Sequence, residues 1–164
     1  TMFALPASGM YPWVLPARSS ASSDQAIGIT FADLEIKNVF ERSFRITNAM
    51  LHGFGEVTGD RNPVHFDDLA AKRAGFRKRI AHGLLTGSLV SQVFGMDFPG
   101  PGAIYKRQSF EFERPVYIDD IVRVRVEVVD KQVEKGKQYV MFSCLWTVDN
   151  KVVIRGEATI YMPM

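Results

Sequence analysis

Asp60 and His65 stand five positions apart in the stretch "EVTGDRNPVHFDD", with Asn62 and Pro63 between them. Histidine has an ordinary pKa of about 6.5, so it can take up and return a proton near neutral pH, and a nearby carboxylate can orient its ring or share a water with it. Such a pair suits the activation of a water molecule. Pro63 fixes its own φ and restricts Asn62 to extended conformations, which stiffens the span between the two groups. The same residues support a second reading, in which Asp60 and Asn62 form an Asx-type turn and His65 is an ordinary polar loop residue. A third reading, a calcium loop, fails on its own requirements: the sixth position is His65 where glycine is needed, and the twelfth is Ala71 where glutamate is needed. No metal and no other cofactor is expected.

The next chemically interesting stretch is "AHGLLTGSLVS". A helix start offers unpaired backbone N–H groups and a favourable dipole to a developing negative charge, and Gly83 has no side chain to keep a carbonyl oxygen at a distance. Tight helix packing is the competing account of a glycine there. His82 reads as a supporting group that hydrogen-bonds loop to helix. Ser91 lies eight residues beyond Gly83 and either reaches a site or back-bonds to the preceding turn. His52 reads as solvated on its helix.

The run "KRAGFRKR" places Arg77, Lys78 and Arg79 beside Lys72 and Arg73. These cations suit the phosphates of a nucleotide-bearing cofactor, the acidic surface of a carrier protein, or simply solvent. Nucleic acid is not expected as a partner, because 20 basic and 18 acidic residues leave a formal charge of only +2. Phe76 is also the only aromatic in the basic run, so a base-stacking platform is missing.

The elements that must position these residues follow from periodicity. A chain of 164 residues, 46% apolar and 12% aromatic, can bury one hydrophobic core. "VFERSFRIT" alternates as a strand, and "NAMLHGFGEVTG" has helical spacing with a cap at Thr47 or Asn48. "DDLAAKRAG" reads as a short helix capped by Asp67 and Asp68 and closed by Gly75, and "AHGLLTGSLVSQVFGM" as a helix apolar on nearly all sides and hence buried. "FPGPG" stops it. Beyond Ile104 the period falls to two, giving four strand candidates: "IYKRQSFEFERPVY", "DIVRVRVEVVD", "KQYVMFSCLWTV" and "KVVIRGEATIYM". Short connections between the last three favour an antiparallel meander. The expected class is α+β, an antiparallel sheet around one hydrophobic helix. No apolar run is long enough for a membrane-spanning helix.

The motifs "GDRNPVHFD", "AHGLLTGSLVS", "PGPGAIY" and "FERPVYIDD" together resemble the MaoC-like, (R)-specific enoyl-CoA hydratase family, from about Val39 to the C-terminus. The resemblance implies a single hot-dog domain, placed at 29–164 behind an N-terminal arm at 1–28. It implies that Asp60 and His65 hold the catalytic water and add it to one face of a trans-2-enoyl-CoA, giving the (R)-3-hydroxyacyl product. It places the oxyanion donor at Gly83, with Asn62, Ser91 and His82 in support and Arg77, Lys78 and Arg79 as candidates for CoA binding. Phe110, Phe112 and Trp146 are candidates to border an acyl slot, and as aromatic core they need no ligand. Partners are then an acyl-CoA or acyl-carrier-protein thioester and a second copy of the chain, since an open sheet edge invites pairing into a homodimer.

Three other functions compete with the hydratase: a 3-hydroxyacyl-ACP dehydratase running the same chemistry in reverse, a hot-dog acyl-CoA thioesterase, and an acyl-CoA-binding subunit without activity. The single cysteine, Cys144, excludes an intramolecular disulfide and fits a reducing compartment. The expected location is cytoplasmic, or the mitochondrial matrix if the serine- and proline-containing arm derives from a transit peptide.

Overall fold

The computed structural model describes residues 29–163, so the arm expected at 1–28 lies outside the described residues. Three long strands, β4 (Ile121–Glu134), β5 (Lys137–Val148) and β6 (Lys151–Met162), form the expected meander. Their hairpins turn on residues with positive φ at both central positions, Lys135 (49°) with Gly136 (76°) and Asp149 (48°) with Asn150 (61°). That geometry matches the twist of antiparallel strands, and glycine, asparagine and aspartate tolerate it best. β1 (Val39–Arg45) adds antiparallel to β4, and β2 (Ile104–Gln108) and β3 (Glu111–Phe112) add to β6, for a spatial order β1-β4-β5-β6-β2.

Alternation along β4 sends Val122, Val124, Val126 and Val128 into the core, and β5 does the same with Val140, Phe142, Cys144 and Trp146. Against this concave face lies the central helical segment at 83–97, which buries Leu85, Leu89, Val90, Val93 and Phe94. Each large side chain so buried stabilises the fold by about 1.5–3 kcal/mol. A sheet wrapped around one helix is the hot-dog arrangement anticipated above. Burial of Cys144 pushes its thiol up to about 12, so the one cysteine is an inert core residue.

Two elements differ from expectation. The segment read as one helix is interrupted: α3 (Gly83–Ser88), α4 (Val90–Gln92), then a π-turn over Val93–Asp97 closed by the Phe98 N–H on the Val93 carbonyl at 2.7 Å. The segment read as one strand from Ile104 to Tyr117 also breaks. Ser109 and Phe110 separate β2 from β3, and Tyr117 joins only an isolated bridge to Ile80. The break occurs where the Ser109 carbonyl crosses Gly156, so closely that a Cβ there would stand 1.9 Å from it.

Candidate active site

α1 (Asn48–Thr58) is capped by the Thr47 hydroxyl on the Met50 N–H and ends at Gly59, whose φ of 76° turns the chain sharply into Asp60. The Asp60 carboxylate accepts the Asn62 N–H at 3.1 Å, and the Asn62 side chain accepts the Val64 N–H at 3.3 Å. The Asx-type turn is therefore real. It leads into a single 3-10 turn, Pro63–His65, that points His65 inward while Asp60 stays exposed. α2 (Asp68–Arg73) follows, with the Asp67 carboxylate accepting the Leu69 N–H at 2.6 Å, so Asp67 and Asp68 serve the helix start.

His65 is buried, and its Nδ1 lies 2.9 Å from the Ile80 carbonyl. A carbonyl oxygen can only accept, so Nδ1 carries the proton and Nε2 keeps a free lone pair. Ile80 is itself anchored, donating its N–H to the Val64 carbonyl at 3.2 Å and bridging to Tyr117. The base-competent tautomer of His65 is thus written into the loop that carries it.

His82 is buried beneath this group, and its Nε2 donates to the Asp60 backbone carbonyl at 3.1 Å. Its ring lies 3.8 Å from that of His65, centroid to centroid, and is enclosed further by Phe54 at 4.9 Å and Phe66 at 5.6 Å. Burial lowers its pKa below the ordinary value, with the His65 ring acting in the same sense and the bond to Asp60 opposing. His82 is accordingly neutral, and its Nδ1 has no hydrogen-bond partner among the described residues.

One ligand-type atom each from Asp60, His65 and His82 falls within 4.8 Å of the others. Both rings already spend one nitrogen on a carbonyl, and they are stacked with planes only 29° apart, leaving each one free nitrogen. The donor set fits a hydrogen-bonded water better than a metal ion.

A pocket of about 340 Å³ opens beside His65 and is lined by Gly83, Thr86, Phe76, Ile80, Phe112 and Ile154 among others. Gly83 begins α3, whose first carbonyl acceptor is His82, accepting the Thr86 N–H at 3.1 Å. Gly83 also packs tightly: a Cβ there would lie 3.0 Å from the Phe112 ring. His65 and Gly83 therefore line one opening, Asp60 and His82 each bring a ligand-type atom within 4.8 Å of His65, and Asn62 shapes the loop. Ser91 is not gathered with them; it is exposed on the side of the central helix that its own sheet leaves uncovered.

The basic run is largely committed within the chain. Lys78 Nζ donates to the Ile118 carbonyl at 2.6 Å, and Arg79 donates to the Asn48 side chain at 2.8 Å. Arg77 stacks on Tyr117, 4.1 Å from the ring centroid, with its side chain 66% exposed. Phe76, from the same run, turns into the pocket.

The MaoC like domain family matches residues 32–148. The chain belongs to the MaoC-like dehydratase family. It is 42% identical over 133 residues to a 3-hydroxybutyryl-CoA dehydratase of Methylorubrum extorquens, covering 81% of this chain and 83% of that one. It is 38% identical to an (R)-specific enoyl-CoA hydratase of Rhodospirillum rubrum, covering 87% and 97% of the two chains. Among solved structures, an unliganded R-hydratase of Pseudomonas aeruginosa superposes with a TM-score of 0.77 at 38% identity, over 83% of this chain and 86% of that one.

Sequence reasoning missed two contributors to the MaoC-like site. Thr86 is a polar residue on the buried face of a helix, a signal present in "GLLTG" and passed over. The Ile80 carbonyl, which sets the His65 tautomer, is a backbone atom and leaves no trace in residue types.

Proposed function

We propose that this enzyme adds water reversibly to trans-2-enoyl-CoA and yields (R)-3-hydroxyacyl-CoA, with Asp60 and His65 as the catalytic pair. One observation carries the reading: a buried histidine with Nδ1–H held on the Ile80 carbonyl, its other nitrogen free, beside an exposed carboxylate and the pocket that contains Gly83. The water is held between the Asp60 carboxylate and His65 Nε2. As its oxygen attacks C3 of the enoyl group, one of the pair removes its proton, and a proton is delivered to C2. Charge moves meanwhile onto the thioester oxygen, where the Gly83 N–H at the helix start receives it.

His82 and Asn62 act by holding the pair. Of the three basic candidates, Arg77 keeps the most exposed guanidinium and is the one best suited to a CoA phosphate. On the central helix, Leu84 and Met96 are 60% and 63% exposed and flank Ser88 and Ser91, a surface that suits packing against a second copy in a homodimer. The buried free thiol of Cys144 fits a reducing compartment, the cytoplasm or alternatively the mitochondrial matrix.

The test follows the loss of enoyl absorbance with crotonyl-CoA as substrate, with chiral analysis of the product. Formation of the (R)-alcohol without release of free CoA supports the reading. Release of free CoA as the main product identifies a thioesterase, and tight binding without turnover identifies a binding subunit. The same reaction on a carrier-protein thioester decides which carrier the enzyme prefers.

A further inference from the structure

Two aromatic rings pair with two glycines at and beside the pocket. Phe110 and Phe112 are two residues apart on an extended segment, and Gly83 and Gly87 are four apart on the helix. Alternate residues of an extended chain lie roughly 6.6 Å apart and helical residues four apart lie roughly 6 Å apart, so the two spacings match. The ring centroids of Phe110 and Phe112 are 5.9 Å apart. A Cβ on Gly83 would stand 3.0 Å from Phe112, and one on Gly87 would stand 2.9 Å from Phe110. Each ring therefore fills a notch that a glycine leaves open.

The two rings differ in what they face. Phe112 lines the pocket together with His65 and Gly83, whereas the lining stops at Thr86 and Ile154 and includes neither Gly87, Phe110 nor Trp146. Phe110 lies one notch further along, edge-on to the fully buried Trp146 at 5.6 Å. The resulting volume of about 340 Å³ is near the small end of ligand pockets, which span roughly 300–1,000 Å³. Within it must fit the reacting enoyl group and the adjoining thioester.

We propose that Phe110, seated in the Gly87 notch against Trp146, closes the acyl slot and makes the enzyme selective for short-chain enoyl thioesters. The inference rests on the hydratase reading given above. A longer acyl chain has to displace Phe110 from its notch, and the Trp146 ring leaves it nowhere to go within the core. Replacing Phe110 with a smaller apolar residue opens the slot past Gly87 toward Trp146.

The experiment compares crotonyl-CoA with trans-2-octenoyl-CoA on the full chain, wild type against Phe110→Leu and Phe110→Ala, with circular dichroism to verify folding. Methylenes that a pocket cannot accommodate cost about tenfold or more, so the wild type is expected to favour crotonyl-CoA in kcat/KM by at least that factor. Both variants are expected to shrink the preference by about tenfold. Calorimetric binding of the unreactive butyryl-CoA and octanoyl-CoA reads the slot independently of the chemistry. Equal wild-type kcat/KM on the two enoyl-CoAs, or an unchanged preference in a folded Phe110→Leu enzyme, overturns the inference. If no enoyl-CoA is hydrated while binding still discriminates against octanoyl-CoA and Phe110→Leu relaxes that discrimination, the hydratase reading falls and the short slot stands.

Discussion

The imidazoles of His65 and His82 lie face to face, 3.8 Å between centroids, with one ring held by the Ile80 carbonyl and the other by the Asp60 carbonyl. A positive charge on His82 is disfavoured by its burial and by the ring stacked on it. His82 is the more deeply buried, and burial lowers its pKa from the ordinary 6.5. In the unfolded chain His82 takes up a proton as pH falls through 6.5, while in the folded chain it resists doing so. Its contribution to stability is therefore complete above 6.5 and is lost as pH falls below that value toward the folded pKa. His82→Phe keeps a ring in the stack and removes the titration. The urea midpoint of the wild type should drop more steeply on acidification than that of His82→Phe; parallel declines would show that His82 is not held neutral.

Asn62 accepts the Val64 N–H and so caps the turn that aims His65. Asn62→Ala should lower stability by about 1 kcal/mol, in line with the loss of a capping acceptor, and reduce kcat as the Asp60–His65 spacing loosens. Asn62→Asp retains the acceptor and should recover most of the stability. Thermal melts and steady-state kinetics of the two variants check this.

Two glycines of α1 make a matched pair. A Cβ on Gly55 would lie 2.8 Å from the Phe66 ring and 3.2 Å from the Asp60 carbonyl oxygen, whereas a Cβ on Gly53 meets nothing within 4 Å. Gly55→Ala should cost about 1–3 kcal/mol through overpacking and depress activity by moving the carbonyl that His82 holds. Gly53→Ala should instead stabilise the helix by up to about 1 kcal/mol and leave kcat unchanged. Denaturant titrations and crotonyl-CoA assays of both enzymes give the comparison.

At the far end of the central helix, Arg42 donates to both oxygens of Asp97 at 2.9 and 2.8 Å, with the two side chains 13% and 15% exposed. Burial raises the Asp97 pKa and the guanidinium opposes it. Removing one partner leaves a buried charge uncompensated, so Asp97→Ala should cost about 3–5 kcal/mol. The double replacement Arg42→Met with Asp97→Leu should recover most of that loss in a denaturant titration.

Strand alternation, the short connections of the meander and the Thr47 and Asp67 caps were legible in the sequence because each depends on residues adjacent in the chain. The Asx turn from Asp60 to Asn62 was legible for the same reason, while the expectation that His65 and Gly83 share a site came from the motif resemblance. What was hidden depends on contacts across the fold. The Ile80 carbonyl that accepts from His65 Nδ1, and so keeps the proton on that nitrogen, lies 15 residues away. The break between β2 and β3 arises from the Ser109 carbonyl passing over Gly156. The basic run carried charge without stating its partners, and Lys78 and Arg79 turn out to tie their loop to Ile118 and Asn48. Ser91 matched a motif by its spacing from Gly83, yet spacing along a helix does not say which face the protein covers, and this one is exposed.

The central claim is that Asp60 and His65 together activate water for addition to an enoyl thioester. Its most direct test is kcat/KM for crotonyl-CoA hydration in Asp60→Asn and His65→Gln, each verified as folded by circular dichroism. General acid–base catalysis typically contributes about 10²–10⁴-fold, so each variant should lose at least about two orders of magnitude. Rates near wild type in both folded variants would contradict the account.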